Sequence, residues 1–433
     1  MIYWSPLLHF YQPPTQTHWI LDKVCDESYR PLIEIFRHNA WSKVTVNICA
    51  ALTDLLVHHG KSDIIKGLTE LAERGQIEFA GSAKYHPILP LIPRDEVMRQ
   101  ITHNYETNRR VFGPVYAPKG FFPPEMAYSR DIASPVLETG HEWIILSGVA
   151  CPTDWPMDII HEVVMPGGKL AVFFRDDILS NMISFRQIDA FGFLKHLGSL
   201  RQAQQDIYVI TAMDAETFGH HIKSWEKLFL EEVYMALEAL PVDPVERGVR
   251  QLRTLVERQK KALSLHAGAE GIRVVTISEL LNLFRRGRSI EPGPSSWSTM
   301  GDDLKALNYY PLWNNPDNQV HQLLWEHMHI TIEMVKKSVE LSDNEASRLH
   351  AEIARGLLDL AFQSDQFWWA SRRPNWDINL INQGLIQQYE ALLNGCKALL
   401  ACDSLSPQEK REYRYREIVA RDIIARIRDQ FFR

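Results

Sequence analysis

Cysteine is scarce in this 433-residue chain, and its number is odd: Cys25, Cys49, Cys151, Cys396 and Cys402 stand far apart and contain no C-x-x-C pair. That pattern argues against a disulfide framework and against a thiolate zinc site, and it fits reduced thiols in a cytoplasmic protein. Long apolar runs are missing as well. The stretch "WIILSGVAC" breaks well before the roughly 20 residues needed to span a bilayer, so no membrane association is expected. The opening "MIYWSPLLHFYQPP" lacks the basic region and small-residue cleavage site of a secretion signal. Excess positive charge is absent too. The net charge is −7, and the densest basic run, "FRRGRS", is short, which excludes a nucleic-acid footprint. With 45% hydrophobic and 23% charged residues, the composition is that of an ordinary globular protein.

What the chain does have is alternation. Over residues 1–285, short apolar strands ("IYWSPLLHF", "KVTVNIC", "GQIEFAGS", "APKGFFPP", "EWIILSG", "LAVFFRDD", "DIYVITAMD", "IRVVTIS") are separated by amphipathic helical patterns such as "RPLIEIFRHN", "PRDEVMRQITHNYETNRRVFG" and "WEKLFLEEVYMALEAL". Alternation with near-continuous apolar strands predicts an α/β fold, a parallel sheet covered by helices and most economically closed as a (β/α) barrel. Residues 286–320, rich in Gly, Pro and Ser ("GPSSWSTMGDD"), read as a linker or long functional loop. Residues 321–433 carry helical periodicity throughout and predict a C-terminal bundle of four or more helices.

In a parallel barrel the carboxyl ends of the strands surround one mouth, and reactive groups collect there. Following each strand to its end gives His9, Tyr11 and Gln12, then Asn47, then Ser82, Lys84, Tyr85 and His86. Next come Glu125, Ser147, Arg175 with Asp176 and Asp177, and finally Asp214 with Glu216. For a lone Asn47 or Ser147 the simpler reading is a loop start. Glu125 is different: "FFPPEMAY" sets a carboxylate in an aromatic, proline-stiffened turn, where it needs a partner or a task. Asp214 is a candidate of the same kind, although a helix cap is the alternative. Period 2 puts Glu216 on the same face as Asp214, so spacing alone leaves the choice between them open. The doublet His220–His221 reads equally as a helix start.

Two rim carboxylates from different strands, set among aromatics, point to glycosidic-bond chemistry. One ionised carboxylate attacks the anomeric carbon while a protonated one donates to the leaving oxygen. Sugars present apolar ring faces and polar edges, so aromatic platforms beside hydrogen-bonding groups suit them. Twelve tryptophans are present, among them Trp297, Trp313, Trp368, Trp369 and Trp376, and most are expected to be core. Trp297 sits in a Gly/Ser/Asp loop and is the better candidate for a sugar platform.

These segments resemble glycoside hydrolase family 57. "LHFYQPP" (Leu8–Pro14) is similar to that family's first conserved region, with Tyr11 where many members carry a second His. "EFAGSAKYHPILPLIP" is similar to the second, "GFFPPEMAY" to the third, "AMDAETFGHH" to the fourth and "SSWSTMGDDLKALNYYPLWNNPDNQVH" to the fifth, in order along the chain. The resemblance implies an incomplete (β/α)7 barrel followed by a helical region that helps to build the cleft. It implies retaining chemistry on α-linked glucans or oligosaccharides, by hydrolysis or by transfer, without a cofactor or metal ion. It puts the nucleophile on Glu125 and the general acid/base on Asp214, with His9, Gln12, His86, Glu216, His220, Trp297 and Asp302 as substrate contacts.

Two other readings are set beside it. A metal-dependent polysaccharide deacetylase would need an early Asp-Asp pair and a His-x-x-x-His ligand set. Here Asp176–Asp177 comes late, and the nearest His pairs are His58–His59 and His220–His221. A non-catalytic glucan-binding protein would keep the barrel and lose turnover, and retention of both carboxylates argues against it.

Overall fold

The structure is a computed structural model and describes residues 1–153, 158–201, 205–237 and 269–431. The end of the helical pattern at 225–240, from residue 238 on, and residue 432 of the last pattern lie outside them. The chain forms two compact units. The first comprises Met1–Lys84 and Pro93–Trp297, and the second Tyr85–Ile92 and Ser298–Arg433. The division falls at 297/298, where the sequence reading sets off 286–320 as a segment of its own, and the short Tyr85–Ile92 stretch belongs to the second unit.

The first unit is α/β and contains two five-stranded sheets. One is built on β1 (Ile2–Phe10), β2 (Val44–Ile48), β3 (Ile77–Ala80) and β8 (Ile207–Asp214), in the order β3-β2-β1-β8, with β9 (Ile272–Val274) beside the start of β1. The other runs β10-β6-β7-β5-β4, from β4 (Gly120–Phe121), β5 (Trp143–Ser147), β6 (Ile160–Met165), β7 (Gly168–Arg175) and β10 (Arg286–Ser289). All pairings are parallel except β6 with β7. Strands β1, β2 and β5 are buried at every position, as expected for parallel strands covered on both faces.

Side-chain alternation along these strands separates two cores. Trp4, Leu8 and Phe10 of β1, Val44, Val46 and Ile48 of β2, and Ile207, Val209 and Met213 of β8 pack with Leu32, Phe36, Leu52, Leu68 and other helical residues. The opposite parity, with Tyr3 and Leu7 of β1, Trp143 and Ile145 of β5, Ala171 and Phe173 of β7, and Tyr208, Ile210 and Ala212 of β8, builds a separate core with Phe122 and Met126. Continuing that second parity to the carboxyl ends gives His9, Ser147, Arg175 and Asp214, and on β2 the same alternation gives Asn47. The pleat that packs the inner core therefore delivers polar groups to one end of it.

Two strands escape the sequence reading. β6 pairs antiparallel with β7 across the turn Pro166–Gly167, and β10 is the basic "RGRS" run, held to β6 by backbone pairing rather than by an apolar face. The second unit is helical, with long helices Gln319–Leu341, Glu345–Ala361, Ile378–Ala401 and Pro407–Gln430. Each begins at a side chain that accepts backbone N–H groups of its first turn: Asn318, Asn344, Asp377 and Ser406. Among the described residues, no helix is long and apolar enough to cross a membrane.

Candidate active site

The turn after β4 carries Glu125 in left-handed backbone, φ 57° and ψ 17°, followed by Met126 at φ 48°. Two consecutive non-glycine residues in that region cost about 1–3 kcal/mol each and persist only where the surroundings fix them. Here the turn is stapled to the chain at 295–297. Tyr128 and Ser295 exchange backbone bonds at 2.8 and 3.2 Å, and the Trp297 N–H donates to the Glu125 carbonyl at 3.1 Å. The side chains meet as well: Trp297 Nε1–H donates to Glu125 Oε2 at 2.8 Å. A donor aimed at a carboxylate oxygen favours its ionised form.

Around Trp297 stand His9, Phe122 and Arg175. The His9 ring lies 6.0 Å from the indole and is stacked on Phe122 at 4.7 Å, while the Arg175 guanidinium sits 5.9 Å from the indole ring. His9 bonds Asn47 Oδ1 through Nδ1 at 2.7 Å. The Asn47 amide donates to the carbonyls of Ala80 and Gly81, so its Oδ1 is the acceptor and His9 carries its proton on Nδ1. Burial lowers the His9 pKa to about 4, against the opposing Asn47 bond. The ring is therefore neutral at physiological pH.

Asp214 ends β8, and the parallel register sets it beside His9. Burial raises its pKa to about 6, while the charge of Arg175 opposes the rise. Arg175 is held by donations from Nε to the Ala212 carbonyl at 2.7 Å, from Nη1 to Asp177 at 2.8 Å and from Nη2 to Asn181 at 2.9 Å. Two residues on, Glu216 is 3% exposed. It accepts on Oε1 from Gln12 Nε2 at 3.0 Å and from the Tyr29 hydroxyl. Burial first, and the charge of Asp214 second, push its pKa up to about 8.

The other sequence candidates are placed as follows. His220 pairs through Nδ1 with Glu27 at 2.7 Å. His86 belongs to the second unit, where it is 1% exposed and bonds Ser364 Oγ at 2.9 Å. Asp302, also in the second unit, has a side chain 94% exposed and pairs with Lys305 at 2.8 Å. Trp313 and Trp369 are buried within the second unit, and Arg372 stacks over Trp376 at 4.3 Å. Asp176 caps the helix Asp177–Ser184 by accepting from the Leu179 N–H. Asp177 accepts from Arg175, Ser147 and the Val149 N–H. This pair is thus engaged in local support. Sequence reading did not single out Tyr29, which lies in a helical segment with no motif of its own.

Parallel strand ends of the first unit thus gather two unlike carboxylates, an indole and a neutral imidazole. The chain belongs to glycosyl hydrolase family 57, whose model matches residues 8–248. It is 25% identical over 243 residues to an alpha-amylase of Pyrococcus abyssi, covering 52% of this chain and 35% of that protein. To a 4-alpha-glucanotransferase of Thermococcus litoralis it is 25% identical over 221 residues, covering 49% of this chain and 32% of that one. The chain thus covers about a third of the length of these curated relatives. Its fold is similar to the crystal structure of the 4-alpha-glucanotransferase from Thermococcus litoralis, with a TM-score of 0.67 at 20% identity over 92% of this chain and 59% of that one. It is also similar to the GH57-type branching enzyme from Pyrococcus horikoshii, with a TM-score of 0.65 at 15% identity over 98% of this chain and 96% of that one.

Proposed function

We propose that the protein is a retaining enzyme of α-glucan metabolism, a hydrolase or glucanotransferase, with Glu125 as nucleophile and Asp214 as general acid/base. The observation that carries this is the unequal environment of the two carboxyl groups: Glu125 faces an N–H donor from Trp297, whereas burial holds the proton on Asp214 up to about pH 6. In the first step the Glu125 oxygen bonds C1 of an α-linked glucosyl unit. The C1–O bond to the leaving sugar breaks, and the Asp214 proton passes to that oxygen. In the second step water or a sugar hydroxyl bonds C1, its proton goes to Asp214, and the C1–O bond to Glu125 breaks. Two inversions give net retention, which calls for carboxyl groups about 5–5.5 Å apart.

His9 contacts the sugar, Trp297 offers a ring face, and Gln12 and Glu216 support the same side. His220 completes the proposed contacts within the first unit. We read the seven mutually parallel strands, β3-β2-β1-β8 and β7-β5-β4, as an incomplete (β/α)7 barrel. Two seams support that closure. At one, Gly81 N–H donates to Gly120 and Phe122 N–H to Gly81, at 2.7 and 2.9 Å; at the other, Asp176 N–H donates to Ile210 at 2.8 Å. Five widely spaced cysteines, with no disulfide formed among the described residues, support a reducing, cytoplasmic setting.

Proton NMR of fresh products from a maltooligosaccharide tests the reading. The α-anomer is expected to appear first, with longer oligosaccharides if sugar acceptors outcompete water. Initial β-anomer, or no product from any α-glucan tried, would overturn it.

A further inference from the structure

Three consecutive residues of one helical turn hold the loop that follows Asp214. The turn is Cys25–Tyr29, a π-helical segment. Its i→i+5 repeat rotates less per residue than an α-helix, so neighbouring side chains crowd toward one face. Ser28 Oγ donates to the Ala215 carbonyl at 2.9 Å, and the Tyr29 hydroxyl donates to Glu216 Oε1. Glu27 accepts His220 Nδ1–H on Oε2 at 2.7 Å and pairs through Oε1 with the Lys223 ammonium. The Glu27 carbonyl also presses on Gly219, whose φ is +100°; a Cβ there would lie 1.8 Å from that oxygen. One turn thus touches residues 215, 216, 219, 220 and 223.

The turn itself is anchored. The Tyr29 ring packs on Phe10 of β1 at 4.9 Å, and Arg30 ties the segment to Asp63 at 2.6 Å. Ser28 and Tyr29 are fully buried, so their hydroxyls are committed to this loop. Pairing of β8 with β1 ends at Asp214, so the strand ladder fixes the backbone up to that residue. Beyond it the chain enters the tight turn Ala215–Thr217, where the hydroxyl contacts begin.

We propose that Cys25–Tyr29 is a clamp that sets the direction of the Asp214 carboxyl, with Ser28 and Tyr29 as positioning residues for proton transfer at the glycosidic oxygen. The inference rests on the reading of Asp214 as acid/base. A displacement of about 1 Å at a reacting group can cost on the order of 100-fold in rate, whereas His9 and Trp297, the contacts that carry most of the proposed sugar binding, lie outside this loop.

The test uses the full chain with Tyr29→Phe, Ser28→Ala and their combination, with Glu27→Gln as a milder variant and Asp214→Ala in parallel. Two substrates are compared, a maltooligosaccharide and α-maltosyl fluoride, each with and without azide. Fluoride leaves as an anion and needs no proton, and azide attacks C1 of the glycosyl-enzyme without losing one, so this pair bypasses the acid/base. On the maltooligosaccharide, kcat should fall about 10-fold for each of Tyr29→Phe and Ser28→Ala and up to about 100-fold for the combination, with KM within about twofold. Glu27→Gln should fall less. On the fluoride with azide, all should return to within about threefold of the parent protein and form the α-glycosyl azide. Equal losses on both substrates, or unchanged kcat on both, would overturn the clamp. If Asp214→Ala is not rescued by azide, the acid/base reading falls and the clamp with it. If Asp214→Ala is rescued while the clamp variants are not, or show no loss to rescue, only the clamp is lost.

Discussion

The turn after β4 and the turn after β8 each present a carboxyl group at a strand end, and they are built in opposite ways. The first is held through its backbone: left-handed dihedrals at Glu125 and Met126, and stapling to residues 295–297. Its side chain is half-buried, as is that of Asp214, and faces an indole N–H. The second continues a regular strand, and desolvation shifts both of its carboxyl groups upward. The same functional group thus meets an N–H donor in one turn and is favoured as a neutral acid by burial in the other. Environment, rather than residue type, assigns the roles.

The largest separation between the two turns is expected in paired substitutions. Glu125→Gln should lower kcat on the order of 10⁴-fold or more whatever the leaving group. Asp214→Asn should lower it by about 10²–10⁴-fold on unactivated glucans and much less on a substrate whose leaving group needs no proton. Steady-state rates on both substrate types would show it, and equal leaving-group dependence for the two variants would erase the distinction. Next comes Trp297→Phe, which keeps a ring and removes the donor to Glu125. A hydrogen bond to a charged group contributes about 1.5–3 kcal/mol, so kcat/KM should drop about 10- to 100-fold. A loss under threefold would mean that the indole N–H does not support the nucleophile.

The smallest effect is a displacement of the pH profile. In the proposed role Asp214 gives up a proton, and its pKa is raised to about 6, so kcat/KM should hold below that pH and decline above it. Arg175 opposes the rise. Arg175→Gln should therefore move the declining limb to higher pH, by up to about one unit. A limb that moved to lower pH would contradict the electrostatic reading of the β8 turn.

The two turns also differ in how much of them was legible before the structure. Both carboxylates were visible because an apolar strand that ends in acid breaks its own pattern, and β1, β2, β5, β7 and β8 were visible as runs of buried residues. The choice between Asp214 and Glu216 was not visible from spacing, since period 2 places both on one face. What separates them is tertiary: Gln12 and Tyr29, 204 and 187 residues away in sequence, bury Glu216 in hydrogen bonds. The Trp297 donor to Glu125 spans 172 residues and left no local trace beyond a tryptophan in a polar loop. β6 could have been found from the "PGGK" turn before β7. β10 could not, because "RGRS" becomes a strand through backbone pairing and carries no apolar face. The helices of the second unit were readable from periodicity and caps, but their buried polar contacts, such as His327 to Gln388 at 2.8 Å and Gln388 to Gln366 at 2.8 Å, were not.

The account stands most directly on the covalent partner of the sugar. Asp214→Ala protein incubated with α-maltosyl fluoride, quenched and digested, should carry one maltosyl unit on the peptide containing Glu125, and azide should discharge it. A maltosyl unit on any other residue, or steady turnover of the fluoride by Glu125→Gln protein, would contradict it.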